Sequence, residues 1–251
     1  MRGKVAIVTG GAQGLGLTTV EAFLQAGAHV AIFDRHQEAL ERAASEIAEA
    51  GYVCLALLVD VRHEWEIEAA VDRVLASCGR IDVLVNNAAL LSSFIQGEAP
   101  ERPPFWEIDP DRWRELWDVN VCGLWLCTRR VARQMIAQRS GSIINITSTA
   151  HILTSERHIP YGPSKAAVEA FTRAGARQLQ PYGVRMNALL PGAAVNPRGG
   201  TDPRRNPPDV LVPAALFLAS DESAGVTGQS IIAEEYIREL GRLPASSPRA
   251  D

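Results

Sequence analysis

Apolar residues along this chain come in short continuous runs, and between the runs they recur at intervals of three and four. The runs Lys4–Thr9, Ala28–Phe33, Val53–Val59, Ile81–Asn86, Ser142–Thr147 and Val184–Leu190 read as strands, with a weaker one at Ser230–Ala233. Continuous apolar character is what a strand covered on both faces requires. The stretches Leu15–Ala26, Gln37–Ala50, Glu64–Ser77, Asp111–Gln138, Ser164–Gln180 and Pro208–Ala219 read as helices. In the third, Ile67, Val71 and Val74 fall on one face. Strand and helix in alternation imply right-handed crossovers and an α/β fold: a doubly wound, mostly parallel sheet of about seven strands with helices on both faces. Neither a repeat nor a linker interrupts the pattern, so residues 1–240 are expected to form one domain and 241–251 a frayed tail.

Two stretches break the alternation. Leu90–Pro110 holds Gly97, Pro100, Pro103, Pro104 and Pro110, and Ala193–Asn206 is dense in Gly, Pro and Arg, so both are expected to be loops. Each follows a strand end, the side on which open α/β sheets bind ligands, which makes them candidate pocket walls.

Composition narrows the partners. With 47% hydrophobic and 22% charged residues in 251, the chain has the make-up of an ordinary globular protein. Its formal net charge of −4 weighs against a nucleic-acid or anionic-membrane surface. The longest apolar runs, such as VCLALLV, suit a buried strand rather than a bilayer span. The first residues enter a strand without the long apolar stretch of a secretory signal, so a cytoplasmic location is expected. Cys54, Cys78, Cys122 and Cys127 form no CxxC pair, and the histidines are scattered, so free thiols and no metal site are expected.

The candidate chemistry lies in two places. TGGAQGLG follows the first strand and opens the first helix, which puts Gly10, Gln13, Gly14, Leu15 and Gly16 at a turn where backbone can approach a phosphate and unpaired N–H groups can hold it. Asp34 ends the second strand, 18 residues after Gly16. A carboxylate there accepts hydrogen bonds from ribose hydroxyls and repels a 2′-phosphate, so NAD is expected rather than NADP. The adjacent Arg35 opposes that preference, whereas Gln13 adds no cation. Farther on, Tyr161 and Lys165 stand one helical turn apart, with Ser148 thirteen residues upstream at a strand end. A free phenol titrates near ~10. An ammonium one turn away, and a positive nicotinamide ring, would favour the phenolate. Such a tyrosine exchanges a proton with an alcohol or carbonyl oxygen while hydride moves to or from the nicotinamide, and Ser148 would hold that oxygen.

In combination these residues resemble the short-chain dehydrogenase/reductase family in its single-domain, Rossmann-like form, over about Lys4 to Gln229. Further motifs carry the resemblance: Asp60-Val61, Asn86-Asn87-Ala88-Ala89, Asn120 in DVNVCG, and Pro191-Gly192. It implies that Asp60 and Val61 hold the adenine and that Asn87 and Ala88 lie along the cofactor. Tyr161 and Lys165 would stand at the nicotinamide, Lys165 bonding its ribose, while the segment from Pro191 and Gly192 would contact the carboxamide. Asn120 would hold a water linking Lys165 to solvent. It also implies a homodimer or homotetramer through the helices containing CGLWLCTRRVARQMI and SKAAVEAFTRAGARQL. The chain departs from the pattern at Ala89 (usually Gly), at Asn196 (commonly Thr), in the short Ala193–Asn206 segment, and after VTGQ, where Glu234 and Glu235 stand in place of Asp-Gly-Gly.

Leu90, Leu91, Phe94, Phe105 and Trp106 flank the first loop, and His151, Leu153, His158 and Ile159 lie between Ser148 and Tyr161. An apolar, partly aromatic wall suits an alcohol or ketone with a hydrophobic or cyclic body. The leading expectation is therefore an NAD-dependent alcohol dehydrogenase or carbonyl reductase. A 3-oxoacyl-thioester reductase docking its carrier on Arg198, Arg204 and Arg205 is the second reading, although Asp34 speaks against its NADPH. A non-catalytic NAD-sensing protein is the third, with little use for Ser148, Tyr161 and Lys165 together.

Overall fold

Seven strands make one sheet: β1 (Val5–Thr9), β2 (His29–Asp34), β3 (Cys54–Leu58), β4 (Val83–Asn86), β5 (Gly141–Ile146), β6 (Val184–Leu190) and β7 (Ser230–Ile232). In this computed structural model, which describes residues 1–97, 102–195, 202–203 and 205–241, the spatial order is β3-β2-β1-β4-β5-β6-β7 and every pairing is parallel. The helices are α1 (Gly14–Gln25), α2 (Gln37–Glu49), α3 (Glu64–Cys78), α4 (Ser92–Gln96), α5 (Pro110–Trp117), α6 (Leu124–Gln138), α7 (Ala150–Thr154), α8 (Tyr161–Leu179), α9 (Val212–Ala219) and α10 (Ala233–Glu239).

Both faces of the sheet are covered because successive side chains point to opposite sides. Ala6 and Val8 of β1 join Val30 and Ile32 of β2 in a core built with α1, α2 and α9. Val5 and Ile7 join Ala31 and Phe33 in a second core built with α3, α6 and α8. The order reverses between β1 and β4, so their following loops diverge and leave a crevice at the carboxyl ends, the switch point at which such sheets bind ligands.

The expected helix over Asp111–Gln138 is interrupted. α5 gives way to a π-helical turn at Asp118–Gly123 before α6 begins. Two non-local contacts sit on that turn. The Asn120 side chain bonds the backbone of Leu90, and a Cβ at Gly123 would stand 2.7 Å from Val61 Cγ2. The Leu90–Pro110 stretch, expected to be irregular, contains α4 and a 3-10 turn at Phe105–Glu107. The short helices α7 and α10 were not signalled by the pattern. The tail 242–251 lies outside the described residues.

A buried polar chain ties the layers together. Asn86 and Asn145 are register partners on β4 and β5, both almost without solvent contact. Asn86 Nδ2 donates to Thr128 Oγ1 on α6 (2.9 Å) and to Asn145 Oδ1 (2.8 Å), and Asn145 Nδ2 donates to Thr172 Oγ1 on α8 (2.9 Å). Removing one member leaves buried donors and acceptors unpaired, at about 1–3 kcal/mol. Asn145→Ala is therefore expected to lower the unfolding free energy in urea by about that amount; an unchanged transition would mean that the chain adds nothing to stability.

Candidate active site

The turn after β1 is shaped by absent side chains. Gly10 has φ +61, and a Cβ there would meet Ala88 Cα at 2.8 Å. A Cβ on Gly16 would lie 2.1 Å from Gly10 O, so the first turn of α1 packs directly on the loop. Gly14, by contrast, has φ +55 and open space where its Cβ would be. Gln13 precedes α1 without a side-chain capping bond, so the first N–H groups of this twelve-residue helix are uncapped by it. Leu15 is half-buried at the same turn. Bare amides, a helix dipole and open backbone form a cradle that fits a phosphate.

Thr9 and Asn87 hold this cradle against the end of β4. Thr9 Oγ1 accepts from Asn87 N (3.0 Å) and Ala88 N (3.1 Å), and Asn87 Nδ2 donates to Thr9 O (3.1 Å) and Gly10 O (2.9 Å). The amide of Asn87 thus serves the loop itself. Thr9, essential to that clasp, carried no separate signal in the sequence.

Beside this cradle, at the end of β2, Asp34 is buried, with Oδ2 accepting from Ala12 N (3.1 Å) and Oδ1 from His36 N (3.0 Å). A carboxylate has about four acceptor positions, so capacity remains for ribose hydroxyls. After β3, Arg62 Nε bonds both oxygens of Asp60 (3.0 and 2.9 Å). Burial works against the Asp60 charge, but these bonds and the guanidinium charge prevail and hold its pKa below the usual carboxylate value. Arg62 Nη1 also reaches Glu115 Oε1 on α5 (3.0 Å). Val61 is buried in the core beneath Gly123. Arg62 and Glu115 were not singled out by the sequence, since 53 residues separate them.

Ser148, Tyr161, Lys165 and Asn120 converge near the end of β5. Tyr161 opens α8, its phenol hydrogen-bonded to the Ser148 side chain. Lys165 lies one turn on, fully buried, with Nζ donating to Ile146 O (2.8 Å) and standing 5.8 Å from the Tyr161 ring centroid. Asn120 accepts from Leu90 N (2.7 Å) and donates to Leu90 O (3.0 Å) and Ser164 Oγ (3.1 Å), and Ser164 Oγ donates to Tyr161 O (2.7 Å). Asn120 is therefore linked to the first turn of α8 through Ser164.

The electrostatics of the pair differ from the sequence expectation. Burial pushes the Tyr161 phenol up to about 12, with the Ser148 bond working the other way. Burial also draws Lys165 down to about 8. Both charged forms lose hydration, and in the free chain this outweighs the help the lysine was expected to give the phenolate.

On the far wall, Gly192 follows β6 with φ +100, and its Cβ position lies 2.7 Å from Glu234 Oε2. Asn206 Nδ2 bridges Pro191 O (3.1 Å) and Glu234 Oε2 (3.3 Å). Glu234, one of the residues replacing Asp-Gly-Gly, is thus packed against the Pro191-Gly192 turn. Asn196, Arg198 and Arg204 lie outside the described residues; Arg205 pairs with Asp202 (3.7 Å). At the mouth, Arg102 bonds Arg157 O and Arg112 bonds Phe94 O, tying the loop after β4 to the segment before Tyr161 and to α5. Leu91, Phe105 and Trp106 stand exposed there. Burial, with Arg102, His151 and Arg157 nearby, depresses the His158 pKa. No helix among the described residues is long and apolar enough to cross a membrane, and no cluster of three metal-ligating side chains occurs among them.

The family model of the short chain dehydrogenases matches residues 4–200. The chain is 32% identical to 2,5-dichloro-2,5-cyclohexadiene-1,4-diol dehydrogenase of Sphingobium indicum, over 93% of this chain and 96% of that one. It is 32% identical to cyclopentanol dehydrogenase of Comamonas testosteroni, over 92% and 95%. Among solved structures, an NAD+-bound xylitol dehydrogenase superposes with a TM-score of 0.82 at 30% identity, covering 92% of this chain and 97% of that one.

The buried lysine has a signature in stability. Its pKa of about 8 lies below its ordinary 10.5. Between those values the folded state holds fewer protons than the unfolded state, so stability rises with pH across that window. Tyr161, raised from 10.0 to about 12, acts in the opposite sense above pH 10. In urea unfolding from pH 7 to pH 10, the wild type is expected to gain stability relative to Lys165→Met above pH 8. A difference that stays flat would mean that burial does not disfavour the ammonium.

Proposed function

Because the chain belongs to the short-chain dehydrogenase family and is therefore an oxidoreductase, we propose that it interconverts a secondary alcohol and a ketone with NAD(H), Tyr161 serving as general acid and base. The observation that carries this reading is the Ser148–Tyr161–Lys165 cluster at the same end of the sheet as the open glycine cradle. When bound, the nicotinamide supplies the hydride acceptor or donor and, in its oxidised form, a positive charge.

The chain's own residues handle the proton. Tyr161 takes it from the alcohol in oxidation and returns it to the carbonyl oxygen in reduction. Ser148 hydrogen-bonds that oxygen and orients it. A phenol near 12 is almost wholly protonated at neutral pH, so forming the phenolate needs a cation close by. Lys165, at about 8, still carries most of its charge at neutral pH and supplies one. Asn120 fixes the start of α8 through Ser164, and with it the position of Tyr161.

The cradle of Gly10, Gln13, Gly14, Leu15 and Gly16 would hold the pyrophosphate. Asp34 would accept from the adenosine ribose, which favours NAD. Asp60 and Val61 would border the adenine, Asn87 and Ala88 the middle of the cofactor, and Pro191 and Gly192 the carboxamide. A small cyclic or hydrophobic alcohol fits the exposed apolar rim of Leu91, Phe105 and Trp106, and two relatives are named for cyclic alcohols. A second copy of this chain is the proposed partner of α6 and α8, where Trp125 stands exposed. Light scattering at micromolar concentration is expected to give a dimer or tetramer; a monomer would remove that assignment.

Tyr161→Phe is expected to cut kcat by about 10²–10⁴-fold on an alcohol the wild type oxidises, with NADH affinity nearly unchanged. Retained turnover would take Tyr161 out of the chemistry. The wild type should also show at least tenfold higher kcat/KM with NAD than with NADP. Preferential reduction of a 3-oxoacyl thioester with NADPH would overturn the reading.

A further inference from the structure

We infer that Glu115 is a specificity-determining residue for the dinucleotide, acting by occupying Arg35, which would otherwise be available to a 2′-phosphate. The inference rests on the proposed use of a nicotinamide dinucleotide.

Three elements meet at this point. Arg35 follows β2, Asp60 and Arg62 follow β3, and Glu115 projects from α5. A single oxygen, Glu115 Oε1, faces both guanidiniums: Arg62 Nη1 at 3.0 Å and Arg35 Nη1 at 3.6 Å. Arg62 has a second anchor in Asp60, which it grips through Nε. Among the described residues Arg35 has no second carboxylate pairing of that kind; a further bond runs from Nε to His36 Nε2 at 3.4 Å. Release of Glu115 would therefore free Arg35 more than Arg62.

The charges decide the sign. Asp34, Asp60 and Glu115 are three negative groups against the two positive groups Arg35 and Arg62, and Glu66 beside Asp60 and Asp118 beside Arg62 add to the negative side. A neutral residue at 115 would remove one negative charge and leave a guanidinium beside the end of β2 without its carboxylate partner. A guanidinium matches a phosphate with paired N–H donors, so the phosphorylated ribose gains most from its release. Asp34 alone does not close the matter, because it is buried and both of its oxygens already accept backbone N–H groups. Arg35 and Glu115 are each about a third exposed, at 31% and 33%. Pairs of that kind add little to stability, so the fold should tolerate the substitution.

The test uses the full-length chain with Glu115→Gln and the double variant Glu115→Gln/Arg35→Ala. Kd for NADPH and NADH is read from quenching of tryptophan fluorescence, and kcat/KM from turnover with NADP and NAD. Glu115→Gln is expected to shift both ratios at least tenfold toward the phosphorylated cofactor, with NADH affinity little changed, and Arg35→Ala in the same chain is expected to erase the shift. Equal weakening of both cofactors, an unchanged ratio, or a shift that survives loss of Arg35 would overturn the assignment. A wild type that favours NADP would sink the NAD reading while leaving the direction of the Glu115 shift as the measure of this one. A wild type that binds neither dinucleotide would overturn both.

Discussion

Everything in this protein's crevice depends on how closely the loop after β1 lies against the end of β4. Gly10 and Ala88 come so near that a side chain at Gly10 has no room, and Gly16 presses on the carbonyl of Gly10. Thr9 and Asn87 close the contact with four hydrogen bonds between the loop and the end of β4. The first helix consequently points its amino end into the crevice with Gly14 open toward it. A bulkier residue at Gly10 or Gly16 would push the loop outward and carry the cradle with it.

Burial is the second organising force, and it acts on charge. Lys165 is among the largest fully buried side chains, and its ammonium hydrogen-bonds a main-chain carbonyl at the end of β5. A lysine so placed keeps its proton less firmly than in water, and the phenol beside it gives up its own less readily. The phenol is thus held neutral while the lysine keeps most of its charge at neutral pH, and a nearby positive charge can alter their balance. The site is poised by desolvation, while Ser148 and the Asn120–Ser164 link fix where the phenol points.

At the adenosine end the organising feature is a set of alternating charges borne by three separate elements. Asp60, Arg62, Glu115 and Arg35 form a line across the mouth of the crevice, partly open to water. Individually such pairs stabilise the fold little. Their value lies in the sign of the field they set for a ligand's phosphate.

The order of strands and helices was legible in the sequence because hydrophobic periodicity is local. β6 matches its expected limits, and the other strands differ only at their ends. The glycine turn and the Tyr161–Lys165 spacing were legible for the same reason: positive φ at Gly10 and a shared helical face are properties of a few consecutive residues. What the tertiary structure alone decided involves residues far apart in the chain. The π-helical turn around Asn120 goes with its bonds to Leu90, thirty positions away, and with Gly123 packing on Val61. Glu234 became intelligible once it lay against Gly192, and Glu115 once it lay between two arginines. The direction of the Tyr161 pKa is of the same kind: spacing places the lysine one turn away, but only the fold determines how much water remains around either group, and dehydration outweighs proximity.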